Sequence, residues 1–185
     1  MDNGASSYHR FLNGDDSGFI EIVRDYKDGL ILYLYSFTNN IHIAEDLAED
    51  TFVKLGIKRP KDSGKASLKT WLYTIGRNIA IDYIRHNSKF IQVSLEEYST
   101  LEIERNSLEQ SYIHNKQKIA LHRAMEKLKP EYKQVLWLVY FEGFSNKETA
   151  GIMKKSVHNI ETLVYRARQS LKSEISKEDF IYEDL

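Results

Sequence analysis

The chain has 185 residues, 42% hydrophobic and 29% charged, with a formal net charge of -1, a composition that suits a buried core in one domain or two small ones. No run of about 18 apolar residues occurs, and the polar, acidic start Met1 to Asp16 lacks the basic and apolar segments of a signal peptide, so the expected location is the cytoplasm. The absence of cysteine excludes disulfides and thiolate metal sites.

Charge comes in blocks. Up to Asp50 the chain is acidic, with Asp15, Asp16, Glu21, Glu45, Asp46, Glu49 and Asp50 outnumbering Arg10, Arg24 and Lys27. From Lys54 to Lys89 it is basic, from Glu96 to Glu109 acidic, from Lys116 to Lys172 basic again, and the tail is acidic. Two basic blocks with an acidic one between them fit two phosphate-facing surfaces, and they fit solvated helix faces equally well.

The predicted elements are almost all helical. Phe19, Ile22, Val23, Tyr26, Leu30, Tyr33, Leu34 and Phe37 recur at helical spacing and predict one long amphipathic helix, broken at Asn39 and Asn40. A second helix is expected from about Ile43 to Gly56, with Leu47, Ala48, Phe52 and Leu55 inward and Glu45, Asp46, Glu49 and Asp50 on its polar face. Lys58 to Ser67, with Pro60 and Gly64, reads as a loop. A third helix is expected from about Leu68 to His86, with Leu68, Trp71, Leu72, Ile75, Ile79 and Tyr83 inward, and the three helices are expected to form a small bundle.

Periodicity then fades into an acidic stretch rich in Ser, Thr and Glu, which reads as a linker. Helical signals return from Lys116 to Leu128. Pro130 stands where a helix can start without losing a hydrogen bond, and Gly143 can end that helix. Ser145 and Glu148 have capping-box spacing, opening a short helix to about Met153. Lys154 and Lys155 form a turn, and Ser156 can cap a last helix whose inward stripe is Ile160, Leu163, Val164, Ala167 and Leu171. A short helix, a tight turn and a capped longer helix make a helix-turn-helix.

The second helix of that motif enters the DNA major groove with its N-terminal residues on the bases. His158, Asn159, Glu161 and Thr162 stand there, followed by Tyr165, Arg166 and Arg168. Asn and Thr can read base edges, Glu can accept from a cytosine amine, and Arg can bind guanine or phosphate. Lys147, Lys154 and Lys155 lie where the motif would pass the backbone and suit positioning rather than reading.

These C-terminal residues resemble a known family. Leu128 to Leu136, Tyr140 to Glu148 and Tyr165 to Leu171 look like the fourth conserved region of extracytoplasmic-function (ECF) RNA polymerase sigma factors. Independently, Ala44 to Phe52 is similar to that family's core-binding helix, and Leu68 to Asn78 with Ile81 to Arg85 is similar to its promoter-melting helix. The resemblance spans about Phe19 to Lys172. It implies an all-α protein of two small helical domains joined by an acidic linker. The boundaries expected are 1–86 for region 2, 87–115 for the linker, 116–175 for the helix-turn-helix region 4, and 176–185 for an acidic tail.

The resemblance also implies roles. Asp46, Glu49, Asp50 and Phe52 match the stretch that docks on core RNA polymerase, with Phe52 packing beneath or against the acidic face. Asn78, Asp82 and Arg85 match the face that meets the minus-ten element, and the loop with Lys58, Arg59, Lys61 and Lys65 matches the one that receives an unstacked base. Lys147, Lys155, Ser156, His158, Asn159, Glu161, Thr162, Tyr165, Arg166 and Arg168 fall to the minus-thirty-five element. The sequence departs from the family at Glu161 and Leu163, where basic residues are common, and at the Lys154-Lys155 turn. Leu163 is expected to be buried, and Glu161 to face a cytosine or hold a basic neighbour. The expected partners are core RNA polymerase, promoter DNA and an anti-sigma factor.

No catalytic residue, metal or cofactor is expected. The six histidines are scattered without metal-binding spacing, and no glycine-rich phosphate loop follows a strand. The competing reading is a stand-alone helix-turn-helix regulator, which leaves the N-terminal motifs unaccounted for; a third is a sigma-like interaction protein that has lost DNA reading.

Overall fold

The computed structural model describes residues 4–59, 66–87 and 121–183. Lys61, Lys65 and the expected linker from residue 88 onward lie outside the described residues. Within them the chain is helix and turn, with no strand.

A short helix that the sequence reading does not anticipate comes first: α1, Ala5–Leu12. Its large apolar side chains face the bundle: Tyr8 and Phe11 are buried, and Leu12 packs half-buried against the core. Tyr8 meets Trp71 edge-on with centroids 6.2 Å apart, and Phe11 lies 4.9 Å from Phe19. Arg10 ties the helix down through ion pairs to Glu21 and Asp15. Residues 4–16 are therefore more than a polar lead-in: the buried Tyr8 and Phe11 complete the core.

The helices α2 (Ser17–Thr38), α3 (Ile41–Lys58) and α4 (Leu68–Asn87) form the expected bundle. Ile22, Leu30, Leu34, Leu55 and Leu72 are at most 1% exposed in it. At about 25 cal/mol per Å² of apolar surface, such burial is the main stabilising term. Asn39 ends α2 in the left-handed region, at φ 49°, and Asn40 caps α3 by accepting from the Ile43 N–H at 3.2 Å. The two asparagines thus divide the turn between them, as their tolerance of left-handed backbone and their short acceptor side chains allow.

In the C-terminal half, residues 121–126 are helical (α5), and α6 (Pro130–Leu136) opens on Pro130. Beyond α6 the helix widens into a π turn, Trp137–Phe141, in which the Glu142 N–H donates to the Trp137 carbonyl at 3.0 Å. The Trp137 and Phe141 rings stack with centroids 4.4 Å apart. Gly143 ends the segment at φ 70°, and the capping box opens α7 (Asn146–Met153). Lys154 turns the chain at φ 55° in the place where glycine is usual. The last helix, α8 (Val157–Glu183), runs through the residues expected to form a separate tail.

The halves are docked. α7 packs on α4 and α6 on α2. Their buried side chains make one contiguous cluster, from Tyr8 in α1 to Ala167 in α8.

Candidate polymerase and DNA interfaces

On α3, Asp46, Glu49 and Asp50 recur every three or four residues and are exposed along one face. Phe52 is not on that face. It is 6% exposed and packs in the bundle core, so it can only support the acidic surface from beneath. The exposed stripe continues instead to Val53 and Ile57, which are 56% and 78% exposed. The sequence reading missed both, although they extend the same helical spacing.

On α4, Asn78, Asp82 and Arg85 share one face by their spacing, Asn78 half-buried and the other two exposed. The Asp82 carboxylate pairs with Arg85 at 3.3 Å. Trp71 is half-buried against the core, as its place on the apolar stripe suggests. Lys58 and Arg59 are exposed at the C-terminal end of α3. Arg59 closes the helix at φ 35°, with its guanidinium 4.5 Å above the Phe11 ring, so α1 supports one edge of this surface.

On α8, Ile160, Leu163 and Ala167 are buried against the rest of the half. Opposite them His158, Thr162, Tyr165, Arg166 and Gln169 form one arc, with Asn159, Glu161 and Arg168 at its edges. Thr162 is half-buried and the others are exposed. Ser156 caps the helix, accepting from the Asn159 N–H at 3.1 Å. Glu161 is exposed and makes no ion pair among the described residues. Of the three lysines along the motif, Lys147 and Lys154 are exposed, whereas Lys155 is paired with Glu131 of α6 at 2.8 Å and braces the turn.

Polar contacts bind the two halves. Lys69 of α4 lies 3.0 Å from the Glu142 carboxylate and donates to the Glu142 carbonyl at 2.7 Å. Burial and the adjacent Glu142 carboxylate push the Tyr73 hydroxyl far above the usual phenol range. Lys133 of α6 is 7% exposed and donates to Asn39 Oδ1 at 3.1 Å. Burial lowers its pKa, opposed by the charge of Glu126.

The comparisons with known proteins match this layout. Residues 22–90 match the family Sigma-70 region 2, and residues 118–171 match Sigma-70, region 4. The chain is 32% identical over 159 residues to RNA polymerase sigma factor YlaC of Bacillus subtilis (strain 168), covering 85% of this chain and 91% of that one. It is also 32% identical over 154 residues to ECF RNA polymerase sigma factor SigM of the same organism, covering 83% and 92%.

The chain belongs to the ECF RNA polymerase sigma factors.

Two solved structures share its fold. CnrH, in complex with the cytosolic domain of CnrY, is 20% identical with a TM-score of 0.63 and covers 95% of this chain and 96% of its own. The sigma factor RpoE of Bartonella quintana, in complex with the anti-sigma factor NepR, is 24% identical with a TM-score of 0.68 and covers 85% and 96%. As an ECF sigma factor the chain is a transcription initiation factor that gives RNA polymerase its promoter preference. Among the described residues no helix is long and apolar enough to cross a membrane.

Proposed function

We propose that this sigma factor divides its work among the three exposed surfaces of α3, α4 and α8. The acidic face Asp46, Glu49 and Asp50, prolonged by Val53 and Ile57, docks on core RNA polymerase, pairing charge at one end and burying apolar surface at the other. Asn78, Asp82 and Arg85 meet the non-template strand of the minus-ten element, with Lys58 and Arg59 beside the loop that holds Lys61 and Lys65. The α8 arc reads the minus-thirty-five element in the major groove.

The carrying observation is the separation of the two DNA faces, one on each half and each backed by its own buried stripe. A stand-alone regulator needs the second of these and has no use for the first. The domain division that fits is a region 2 unit up to residue 86, a linker over 87–115, and a region 4 unit from 116. The chain acts by binding alone, catalyses no reaction itself, and works in the cytoplasm, where polymerase and promoters meet. CnrH and RpoE, of the same fold, are each seen with a protein partner, the latter an anti-sigma factor, which supports an anti-sigma partner here.

Run-off transcription with purified bacterial core polymerase over a genomic promoter library tests the assignment. Defined start sites that appear only when the protein is added are expected. Absence of such sites, together with failure to co-elute with core polymerase, leaves the stand-alone regulator as the better account.

A further inference from the structure

Helix α1 brackets the two described ends of the connection between α3 and α4. At its start, a Cβ on Gly4 would stand 2.9 Å from Leu68 Cδ2, and Tyr8 meets Trp71 edge-on, so the first turn of α4 rests on it. At its other end the Phe11 ring lies beneath Arg59, the residue that closes α3. Phe11 has little freedom there. It is 4% exposed and packs on Phe19, and Gly18 lets its backbone approach α2 closer than any side chain would allow.

Arg59 is exposed and yet held at three points. Its backbone is left-handed, with φ 35° and ψ 54°, a conformation that L residues rarely adopt. Its N–H donates to the Leu55 carbonyl at 3.0 Å, and its Nε donates to the Gly56 carbonyl at 3.3 Å. Its guanidinium carbon stands 4.5 Å from the Phe11 ring centroid. Its two terminal nitrogens make no hydrogen bond or ion pair among the described residues. A guanidinium held over a ring, with both terminal nitrogens unused, is arranged in advance for a two-point contact with one phosphate. Less side-chain entropy is then lost on binding.

We propose that Phe11 is a positioning residue for promoter engagement: it holds Arg59 so that the guanidinium grips a backbone phosphate beside the minus-ten element. The DNA role rests on the function proposed above; the Phe11–Arg59 stack does not. Buried as it is, Phe11 acts only through Arg59. A phosphate contact sets register and reads no base, so the effect falls alike on every promoter.

A double-mutant cycle in assembled holoenzyme tests this, with fork-junction DNA from a promoter found by run-off transcription as the probe. Arg59→Ala should weaken binding about ten-fold and make the salt slope shallower by about one. Phe11→Leu, which keeps an apolar filler and removes the ring, should weaken it about three-fold. The double variant should be no weaker than Arg59→Ala alone. A merely structural Phe11 predicts instead that the two losses multiply, and that result overturns the proposal. The stack is measured separately in the free protein, by nuclear magnetic resonance. The Arg59 side-chain protons should be shifted upfield by the ring and return toward ordinary values in Phe11→Leu; no upfield shift also overturns the proposal. Should α1 come loose in Phe11→Leu, seen as altered Trp71 fluorescence, Phe11→Met fills the space with a flexible ringless chain and completes the same cycle. Full binding by Arg59→Ala holoenzyme would remove Arg59 from the minus-ten surface, and Phe11's role with it. If the unaltered chain fails to bind core polymerase, the sigma-factor assignment falls and takes the positioning role with it, while the shifts still decide whether the stack exists.

Discussion

Glu148 faces two ways: one carboxylate oxygen accepts from the Ser145 backbone N–H at 3.0 Å and from its hydroxyl at 2.7 Å, while the other accepts from Thr70 at 3.3 Å. The capping box of the helix-turn-helix is thus also a contact between the halves. Hydrogen bonds from the Ser145 side chain, then its backbone, then Thr70, together with the charge of Lys69, hold the Glu148 carboxyl below its ordinary value of 4.5, against the opposing effect of burial. A depressed carboxylate pKa contributes stability that is present above the unfolded value and is lost as pH falls through the folded one. Stability should therefore fall more between about pH 7 and about pH 3.5 in the unaltered chain than in Glu148→Gln. Urea unfolding at the two pH values measures this, and parallel losses would remove Glu148 from the account. Ser145→Ala should cost about 1 kcal/mol at neutral pH.

Gly18 tests the seating of α1. A Cβ at this position would stand 2.2 Å from the Ser7 carbonyl oxygen and 2.9 Å from the Phe11 nitrogen, both backbone atoms. Ala would raise helix propensity in α2 by up to about 1 kcal/mol, yet the clash with backbone should outweigh it. Gly18→Ala is expected to lower the thermal midpoint and to displace α1, seen as increased fluorescence change at Trp71. A raised midpoint would mean that α1 does not pack where Tyr8 and Phe11 place it.

The signals legible in the sequence were local ones. Ser145, Glu148 and Ser156 announce the helix-turn-helix because a cap and its target amide lie within three residues. The inward stripes of α2, α3 and α8 could be read because each repeats over several turns. Phe52 lies on such a stripe, and its burial follows from that, although family resemblance had grouped it with the acidic face. What escaped was long-range. Lys133 reads as one polar residue among others in α6, and only Asn39, 94 positions earlier, explains its burial. Lys69 and Glu142 are 73 residues apart, each unremarkable alone. At eight residues, α1 is too short for periodicity to show.

The turn at Lys154 carries a removable cost. Its φ of 55° places a side chain in backbone space that glycine occupies without strain. Lys154→Gly should stabilise the C-terminal half by about 0.5–1 kcal/mol, the relief of strain outweighing the extra entropy of the unfolded chain. Urea unfolding of the full chain reports it, and a loss of stability would contradict a left-handed turn there.

On α4 the double variant Asn78→Ala with Asp82→Ala separates melting from polymerase binding. Neither side chain is in the core, and Asp82 pairs only with exposed Arg85 among its charged neighbours in the described chain. The variant should fold and join core polymerase normally but open promoters poorly. Permanganate reactivity of the bubble measures this; a normal bubble would free both residues from the minus-ten role.

Arg166 offers the sharpest test of reading on α8. It is exposed on the arc opposite Ile160, Leu163 and Ala167, so its removal should leave packing intact. A bidentate contact to guanine would make Arg166→Ala cost roughly 1–3 kcal/mol on the cognate minus-thirty-five element. The loss should shrink when the contacted base pair is changed, because the unaltered chain then loses the same contact. A phosphate contact predicts a different pattern, an equal loss on every sequence and a salt slope shallower by about one. Binding of holoenzyme to promoter variants at two salt concentrations distinguishes the two, and an unchanged affinity on all of them would place Arg166 outside the DNA surface.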